Sequence, residues 1–368
     1  MTAPRRSHSS GPGTGDEGFV LVMTILIVMA IALGLAVFTE WVNGATQRAF
    51  ELRQRVQAEQ RINEARADAL YWFGTQLMSP RGVELTVLGG ANNARPLSES
   101  ERVAALLSGG ATQQGAVFVR LDNTLYRNRE GTQVRLQDAR GLLNLNFAEP
   151  DDVVRLLGTF DVEAGARAAM VPKLLDYIDA DDLVRLNGAE RQQYAEAGRP
   201  GPSNGLLRTT WEAYSVLDWN RFDRLWRVRD GLPAMTSATR TVGINVNTAP
   251  GPVLEALGIP AENVAQVLAR RAIRPFDNIG EMTATIGAVA AIDPFRFLIN
   301  PTNSFRLTLQ AAGTPLVREM VVTLTPQSTR GPWRIDYSIA LPSSGPHAGD
   351  QPTAPEPFPE PAALLPPP

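Results

Sequence analysis

The stretch Gly18-Phe19-Val20-Leu21-Val22-Met23-Thr24-Ile25-Leu26-Ile27-Val28-Met29 follows Gly15-Asp16-Glu17 and opens a long apolar run. Residues 19–38 are twenty uncharged positions interrupted only by Thr24 and Gly34. At about 1.5 Å of rise per residue they form a helix of roughly 30 Å, the thickness of a bilayer's hydrocarbon core. A secretory signal has a shorter apolar region, about 7–15 residues, closed by a small-residue cleavage site. Here the run continues into Thr39-Glu40-Trp41-Val42, and Trp41 suits the membrane–water interface. The segment is therefore read as a membrane span. Arg5 and Arg6 precede it, which puts the N-terminus on the cytoplasmic side by the positive-inside rule.

The apolar run does not stop at a linker. No proline occurs from Val42 to Met78, and apolar positions recur at Val42, Ala45, Ala49, Leu52 and Val56, then Ile62, Ala65, Ala69 and Phe73. That three–four spacing predicts one helical face. A single helix over 19–78, about 90 Å long, is expected, half in lipid and half outside it. Read from this pattern alone, it is a membrane anchor with an amphipathic stalk.

Composition narrows the chemistry. The chain has 368 residues, 44% of them apolar, enough for two domains with real cores. Its net charge of −3 advertises no nucleic-acid partner. There is no cysteine, and the two histidines, His8 and His347, lie in the N-terminal leader and the C-terminal tail. Thiol nucleophiles, disulfides, Cys-ligated zinc and His-based triads are excluded or left without a candidate. No enzyme activity is expected.

Beyond the helix, residues 116–121 and 132–138 read as strands joined by a polar turn at 128–131. Helical patterns follow over 150–157, 162–178 and the Trp-rich region 211–228, with a turn-rich loop at 198–205. Three short helices fill roughly 250–298, and alternation returns at 304–310, 316–324 and 333–340. Ten of the last 27 residues are proline, so the tail from Pro342 is expected to be disordered. Helix, strands, helices, strands imply an α+β scaffold interrupted by a helical insertion.

Two motifs lie in that insertion. In Ile244-Asn245-Val246-Asn247-Thr248-Ala249-Pro250, Thr248 is the expected N-cap and Pro250 suits a first helical turn, while Gly258 is placed to end the helix in a left-handed conformation. A second helix over 262–272 brings in Arg270, Arg271 and Arg274. The pair resembles a helix-hairpin-helix (residues 244–286), a module that holds phosphate through hairpin N–H groups. Pro260 replaces the second hairpin glycine and has no N–H to donate, so a packing role is favoured over nucleic acid. The second motif is Leu175-Asp176-Tyr177-Ile178-Asp179-Ala180-Asp181-Asp182, then Asn187-Gly188-Ala189-Glu190. Acids this close repel unless neutralised, which suits a hard cation with oxygen ligands. Asp179, Asp181 and Glu190 have the acid spacing of an EF-hand, but Leu183 and Val184 stand where a ligand and glycine belong. The residues alone favour a solvated acidic turn.

The ordered set of motifs resembles a known family. A polar leader ending in Gly18 before an apolar helix that starts at Phe19 looks like a type IV prepilin or pseudopilin. With the Asp-Tyr-Ile-Asp-Ala-Asp run, Ile-Asn-Val-Asn-Thr-Ala-Pro, Leu136-Gln137-Asp138-Ala139-Arg140-Gly141-Leu142-Leu143-Asn144-Leu145-Asn146 and Asn303-Ser304-Phe305-Arg306-Leu307, it resembles the minor pseudopilin K family of type II secretion over residues 18–341. Departures are the acidic Asp16 and Glu17 beside the cut, where the family leader is basic, and the Trp- and Arg-rich segment 211–228, expected to alter the surface of the insertion.

The resemblance implies a pseudopilin fold, a long N-terminal helix on an antiparallel sheet, with an inserted helical domain. The expected organisation is a leader 1–18, a membrane span 19–38, a periplasmic helix with first strands 39–145, the insertion 146–300, C-terminal strands 301–341 and the tail 342–368. It implies cleavage by prepilin peptidase after Gly18 and methylation of Phe19. It also implies calcium binding, carried onto Asp179, Asp181 and Glu190 with Asp182 as a further candidate. Met23 stands at the fifth mature position, where filament-body subunits have glutamate. The implied function is a tip subunit in the bacterial inner membrane, its C-terminal domain periplasmic, priming the pseudopilus with minor pseudopilins of types I and J. The alternatives are a minor pilin of a type IV pilus or competence system, and a membrane-anchored helix-hairpin-helix protein that binds DNA.

Overall fold

The computed structural model of the chain describes residues 16–85, 117–286, 296–342 and 355–359. The expectations for Arg5, Arg6, His8, Ala116, His347 and most of the tail lie outside the described residues. The first helix, α1, runs Asp16–Thr75, within three residues of the expected end. The chain divides into two compact units, residues 1–57 and 58–368. In the first, the described residues are α1 alone, and its apolar side chains from Phe19 to Phe38 are exposed throughout. Phe19–Thr75 contains a window long and apolar enough to cross a membrane. Thr24, the polar interruption, donates its hydroxyl to the Leu21 carbonyl at 2.8 Å, so it is satisfied within the helix.

In the second unit the remainder of α1 buries Ala58, Ile62, Ala65, Ala69, Leu70, Trp72 and Phe73. This is the second half of the three–four stripe of the sequence, from Ile62 to Phe73, and it packs on sheet residues Val134, Leu136, Phe305, Leu307, Met320 and Val322 in one core; Leu52 and Val56 of the first half are exposed. The Phe73 and Phe305 rings stack with centroids 4.5 Å apart. The strands are β1 Leu77–Ser79, β2 Gly82–Leu85, β3 Val117–Val119, β4 Asp122–Arg127 and β5 Gln133–Asp138 before the insertion. Strands β1, β2 and β3 form a small antiparallel sheet. The turn at 128–131 is present, but it joins β5 to β4, a strand that the polar sequence Asp122-Asn123-Thr124 concealed. Asn123 there takes a positive φ of 67° at a register shift, which breaks the alternation a strand normally shows.

The insertion contains β6 Leu143–Asn144, α2 Pro150–Gly158, α3 Ala164–Ile178, α4 Arg191–Glu196, α5 Leu232–Met235, β7 Thr236–Ser237 and β8 Ile244–Asn245. It continues through α6 Gly251–Ala256, α7 Ala261–Ile273, α8 Ile279–Ile286 and β9 Phe297–Leu298. It has its own core, from Leu143 to Phe297, separate from the one under α1. The Trp-rich region is three short 3-10 turns, Thr210–Ser215, Trp219–Arg221 and Asp223–Trp226, instead of a longer helix. Nor do its tryptophans dress the surface. Trp219 is fully buried and donates to the Met170 carbonyl at 3.0 Å. Trp226 donates to the Trp219 carbonyl. Indole rings that reach carbonyls inside a core hold irregular turns without needing a helix.

After the insertion come β10 Ser304–Gln310, β11 Val317–Leu324, β12 Trp333–Leu341 and β13 Glu356–Pro357. The main sheet has the order β12-β11-β10-β5-β4-β13, antiparallel except where β13 joins β4. Strand β5 pairs directly with β10, Asp138 opposite Phe305, so the insertion leaves and rejoins the sheet between two neighbouring strands. The proline-rich tail was expected to be disordered and to contribute nothing to the core; residues 355–359 correct this. Phe358 is buried against Tyr126, and the Trp72 indole donates to the Pro359 carbonyl at 2.9 Å. Proline is compatible with an edge strand because its missing N–H faces outward there.

Candidate functional site

Asp138 ends β5 where the insertion begins, and it is fully buried. Its Oδ1 accepts from the backbone N–H of Arg140 and Thr302 at 3.1 and 3.0 Å. Its Oδ2 accepts from Asn245 Nδ2 at 2.9 Å and Thr248 Oγ1 at 3.0 Å. Burial pushes this carboxyl above its ordinary value while the four donors pull it back. Thr248 is thus not the helix N-cap that its sequence position suggested; Pro250 caps α6, and the threonine hydroxyl is committed to the joint. Gly141 is required by space, since a Cβ there would stand 2.6 Å from Thr248 Oγ1 and 2.8 Å from its backbone carbon.

Asn247 ties the same region together. Its Nδ2 donates to the carbonyls of Phe276 and Ile299, and its Oδ1 accepts from the Phe276 N–H at 2.8 Å. Ala249 is buried beside it. An equivalent arrangement surrounds Leu143-Asn144-Leu145-Asn146. The first asparagine of each set accepts from the N–H two residues on, and Asn146 bridges Leu207 and Ala238 as Asn247 bridges Phe276 and Ile299. Each set is followed by a helix and then a second helix, α2–α3 and α6–α7. The insertion therefore contains two copies of one local plan.

The helical hairpin α6–α7 ends its first helix at Gly258, whose φ of +92° meets the expected left-handed position. Its arginines do not form a free basic face. Arg271 is buried and donates to the carbonyls of Val246 and Ala249 at 2.8 and 2.6 Å; burial lowers its guanidinium to about 10. Arg270 pairs with Glu281, and Arg274 with Asp277. This is a packing arrangement. Arg271 directs its charge at backbone carbonyls, and Arg270 and Arg274 direct theirs at acidic side chains.

The acidic run gathers at the end of α3 and the loop before α4. Asp176 and Glu190 are buried, Asp179 is half-buried, and Asp181 and Asp182 are exposed. Arg185 Nη1 donates to Asp176 Oδ1 at 2.7 Å and also to Asp179 Oδ2, and the Arg185 N–H donates to Asp176 Oδ2 at 3.2 Å. Those two bonds to carboxylates raise the guanidinium above its ordinary value. Asp181 Oδ1 accepts from the Leu183 N–H at 2.9 Å, and Asp182 Oδ1 accepts from Asn204 Nδ2 at 3.0 Å. Asp179 Oδ1, Asn204 Oδ1 and both carboxylate oxygens of Glu190 are buried without a hydrogen bond of normal geometry among the described residues, although the Glu190 carboxylate faces the Gln193 backbone N–H as half of a capping box at the start of α4. Burial and the negative charges of Asp176, Asp179, Asp182 and Asp181 push Glu190 up to about 7.

So the structure brings together Asp179, Asp181, Asp182 and Glu190, and adds Asp176, Arg185 and Asn204, which the spacing did not single out. Among the described residues no three acidic side chains stand ready at coordinating distance from one point. The orphaned buried oxygens are nevertheless the donor set a hard cation takes, and such groups are rare unless something satisfies them. Close approach is built in at Gly188, where a Cβ would lie 1.9 Å from Asp176 Oδ2.

An apolar N-terminal helix, packed along its later half on an antiparallel sheet that is interrupted between paired strands by a helical domain, defines a pseudopilin fold with a large insertion. Residues 244–294 match the family model described as Type II secretion system (T2SS), protein K. The fold is similar to a chain in the crystal structure of the GspK-GspI-GspJ complex from the enterotoxigenic Escherichia coli type 2 secretion system. That likeness has a TM-score of 0.51 and 17% identity, and it covers 80% of this chain and 100% of the other. At that identity the likeness is one of fold. No curated protein matches the sequence. The family match over residues 244–294 and the shared fold agree with the resemblance to the minor pseudopilin K family of type II secretion.

Proposed function

We propose that this protein is the tip subunit of a type II secretion pseudopilus, where it primes filament assembly and thereby supports export of folded proteins across the outer membrane. The observation that carries this reading is the pairing of a membrane-length helix with a helical domain inserted between β5 and β10. Met23 supports it. A filament-body subunit has glutamate at the fifth mature position, and in lipid that charge is tolerable only when a neighbouring subunit's N-terminal amine neutralises it. A subunit with methionine there offers no carboxylate upward and is suited to sit ahead of the rest. The partners proposed are minor pseudopilins of types I and J; the similar solved chain comes from a complex of GspK with GspI and GspJ. The role is structural, in the inner membrane with residues after the span in the periplasm.

Maturation follows the same reading. Prepilin peptidase would cut after Gly18 and methylate Phe19. Mass spectrometry of the purified chain is expected to show a methylated Phe19 start; an intact Met1 start, or a cut well past Ala36, would sink the maturation step. Co-expression with the type I and J subunits is expected to yield one co-eluting complex on size exclusion, and three separate peaks would overturn the tip reading.

For the insertion we propose a calcium site held by Asp179, Asp181, Asp182 and Glu190, with Asp176 behind them. The buried oxygens of Glu190 and Asp179 that lack a normal hydrogen bond support it. Arg185 supplies one positive charge against five neighbouring carboxylates, and a divalent ion would supply more. Chelation is expected to lower the melting temperature of the full chain, and Asp179→Ala with Glu190→Ala to abolish that response. A melting curve indifferent to chelator would count against the site.

A further inference from the structure

We infer that Arg185 is a built-in counter-ion that competes with the divalent cation for the acidic cluster, so that loading the cluster requires its guanidinium to leave. This rests on the calcium reading above and adds the residue that sets its affinity. The geometry is specific. Arg185 Nη1 reaches one oxygen of Asp176 and one of Asp179, oxygens that a cation at this cluster would also draw on. The buried oxygens it does not reach, Asp179 Oδ1 and both of Glu190, are the ones left without a hydrogen bond of normal geometry among the described residues. One guanidinium has satisfied one side of a cluster whose other side is still open.

Arginine is suited to such competition because it is always charged and presents only donors. It cannot relieve the crowding by losing a proton; it must move. Departure is sterically open but leaves the fully buried Asp176 without its counter-ion, so it is favourable only when a cation takes the guanidinium's place. The Arg185 side chain is 44% exposed, and its loop neighbours Leu183, Val184 and Leu186 are exposed, so no packing holds the loop over the cluster. The backbone bond from the Arg185 N–H to Asp176 Oδ2 anchors the loop independently of where the guanidinium points. The side chain can therefore swing into water while the loop keeps its place.

A competitor and a supporting strut predict opposite signs. Isothermal titration of calcium chloride into the detergent-solubilised full chain is the test, with Arg185→Gln and Arg185→Lys as variants. If the guanidinium blocks the cluster nine-tenths of the time, its removal tightens calcium binding about tenfold. Arg185→Gln is expected to show that gain, and a larger fall in melting temperature on chelation than the unsubstituted chain. Arg185→Lys, which cannot bridge two carboxylates with a planar fork, is expected to fall between them, and it keeps the test open should Arg185→Gln fold poorly. Calcium binding by the unsubstituted chain with equal or weaker binding by both variants would overturn the inference and leave the calcium site standing. Silence from all three proteins would overturn both. Binding by the variants alone would uphold the competition while refuting calcium as the native occupant.

Discussion

Asp138 shows how much of this molecule turns on single polar side chains at a boundary. Its carboxylate accepts from four donors on three stretches of chain, and three of them, Asn245, Thr248 and Thr302, lie more than a hundred residues away. Asp138→Asn keeps Oδ1 for the two backbone N–H groups but sets an amide N–H2 against Asn245 Nδ2. That facing pair of donors is expected to cost about 2 kcal/mol in thermal unfolding. The exchange Asp138→Asn with Asn245→Asp restores a donor–acceptor pair, so the double variant should recover part of the loss; additive losses would show the pair to be uncoupled. The sequence marked Asn245, Thr248 and Asp138 as members of motifs without saying that they meet. Thr248 was misread because a threonine two residues before a proline fits a helix cap, and only the fold reveals the buried carboxylate that claims its hydroxyl. Asp176 and Arg185 were missed for a related reason. The acids at metal-loop spacing are visible in the sequence, whereas the counter-ion comes from within the loop and the buried acid from the preceding helical turn.

Among elements, the ones with strong periodicity were legible and those held by side chains were not. The later α1 stripe, β5, β10, β11 and β12 fall within about two residues of their apolar spacing; the first four of these are held by burial, whereas β12 is largely exposed and is held by its pairing with β11. The 3-10 turns at 210–226 carry no period, and their position is set by indole hydrogen bonds. The twofold plan of the insertion was visible as Leu-Asn-Leu-Asn and Ile-Asn-Val-Asn, yet the intervening helices differ enough in length to hide the repeat. The strand β13 is the sharpest case. Composition argues that a tail with so much proline builds no core, and residues 355–359 still place Phe358 at 3% exposure on Tyr126, with its N–H on the Arg127 carbonyl at 2.8 Å. Phe358→Ala is expected to destabilise the chain by about 3 kcal/mol. A melting temperature unchanged from the parent would show that this strand contributes nothing to stability.

At the scale of the whole molecule, two cores carry two tasks. One lies between the later part of α1 and the sheet; the other fills the insertion, which carries the acidic cluster. Their joint at Asp138 lets a bulky domain be added to a filament subunit without disturbing the strand pairing of β5 and β10. Such bulk is a liability within a filament, where every subunit is covered by the next, and an asset at its end, where nothing follows. The same logic applies to the helix. Met23 is uncharged, and in the proposed tip position no amine would lie above it to neutralise a carboxylate. Met23→Glu therefore buries an unpaired charge in the bilayer, at a cost on the order of 2–3 kcal/mol, without touching either core. The expected outcome is a variant that folds and melts as the parent does but primes poorly, with fewer pseudopili and less exported protein. Undiminished secretion by Met23→Glu would mean that its position is not fixed by charge pairing in the membrane, and the assignment to the tip would then rest on the inserted domain alone.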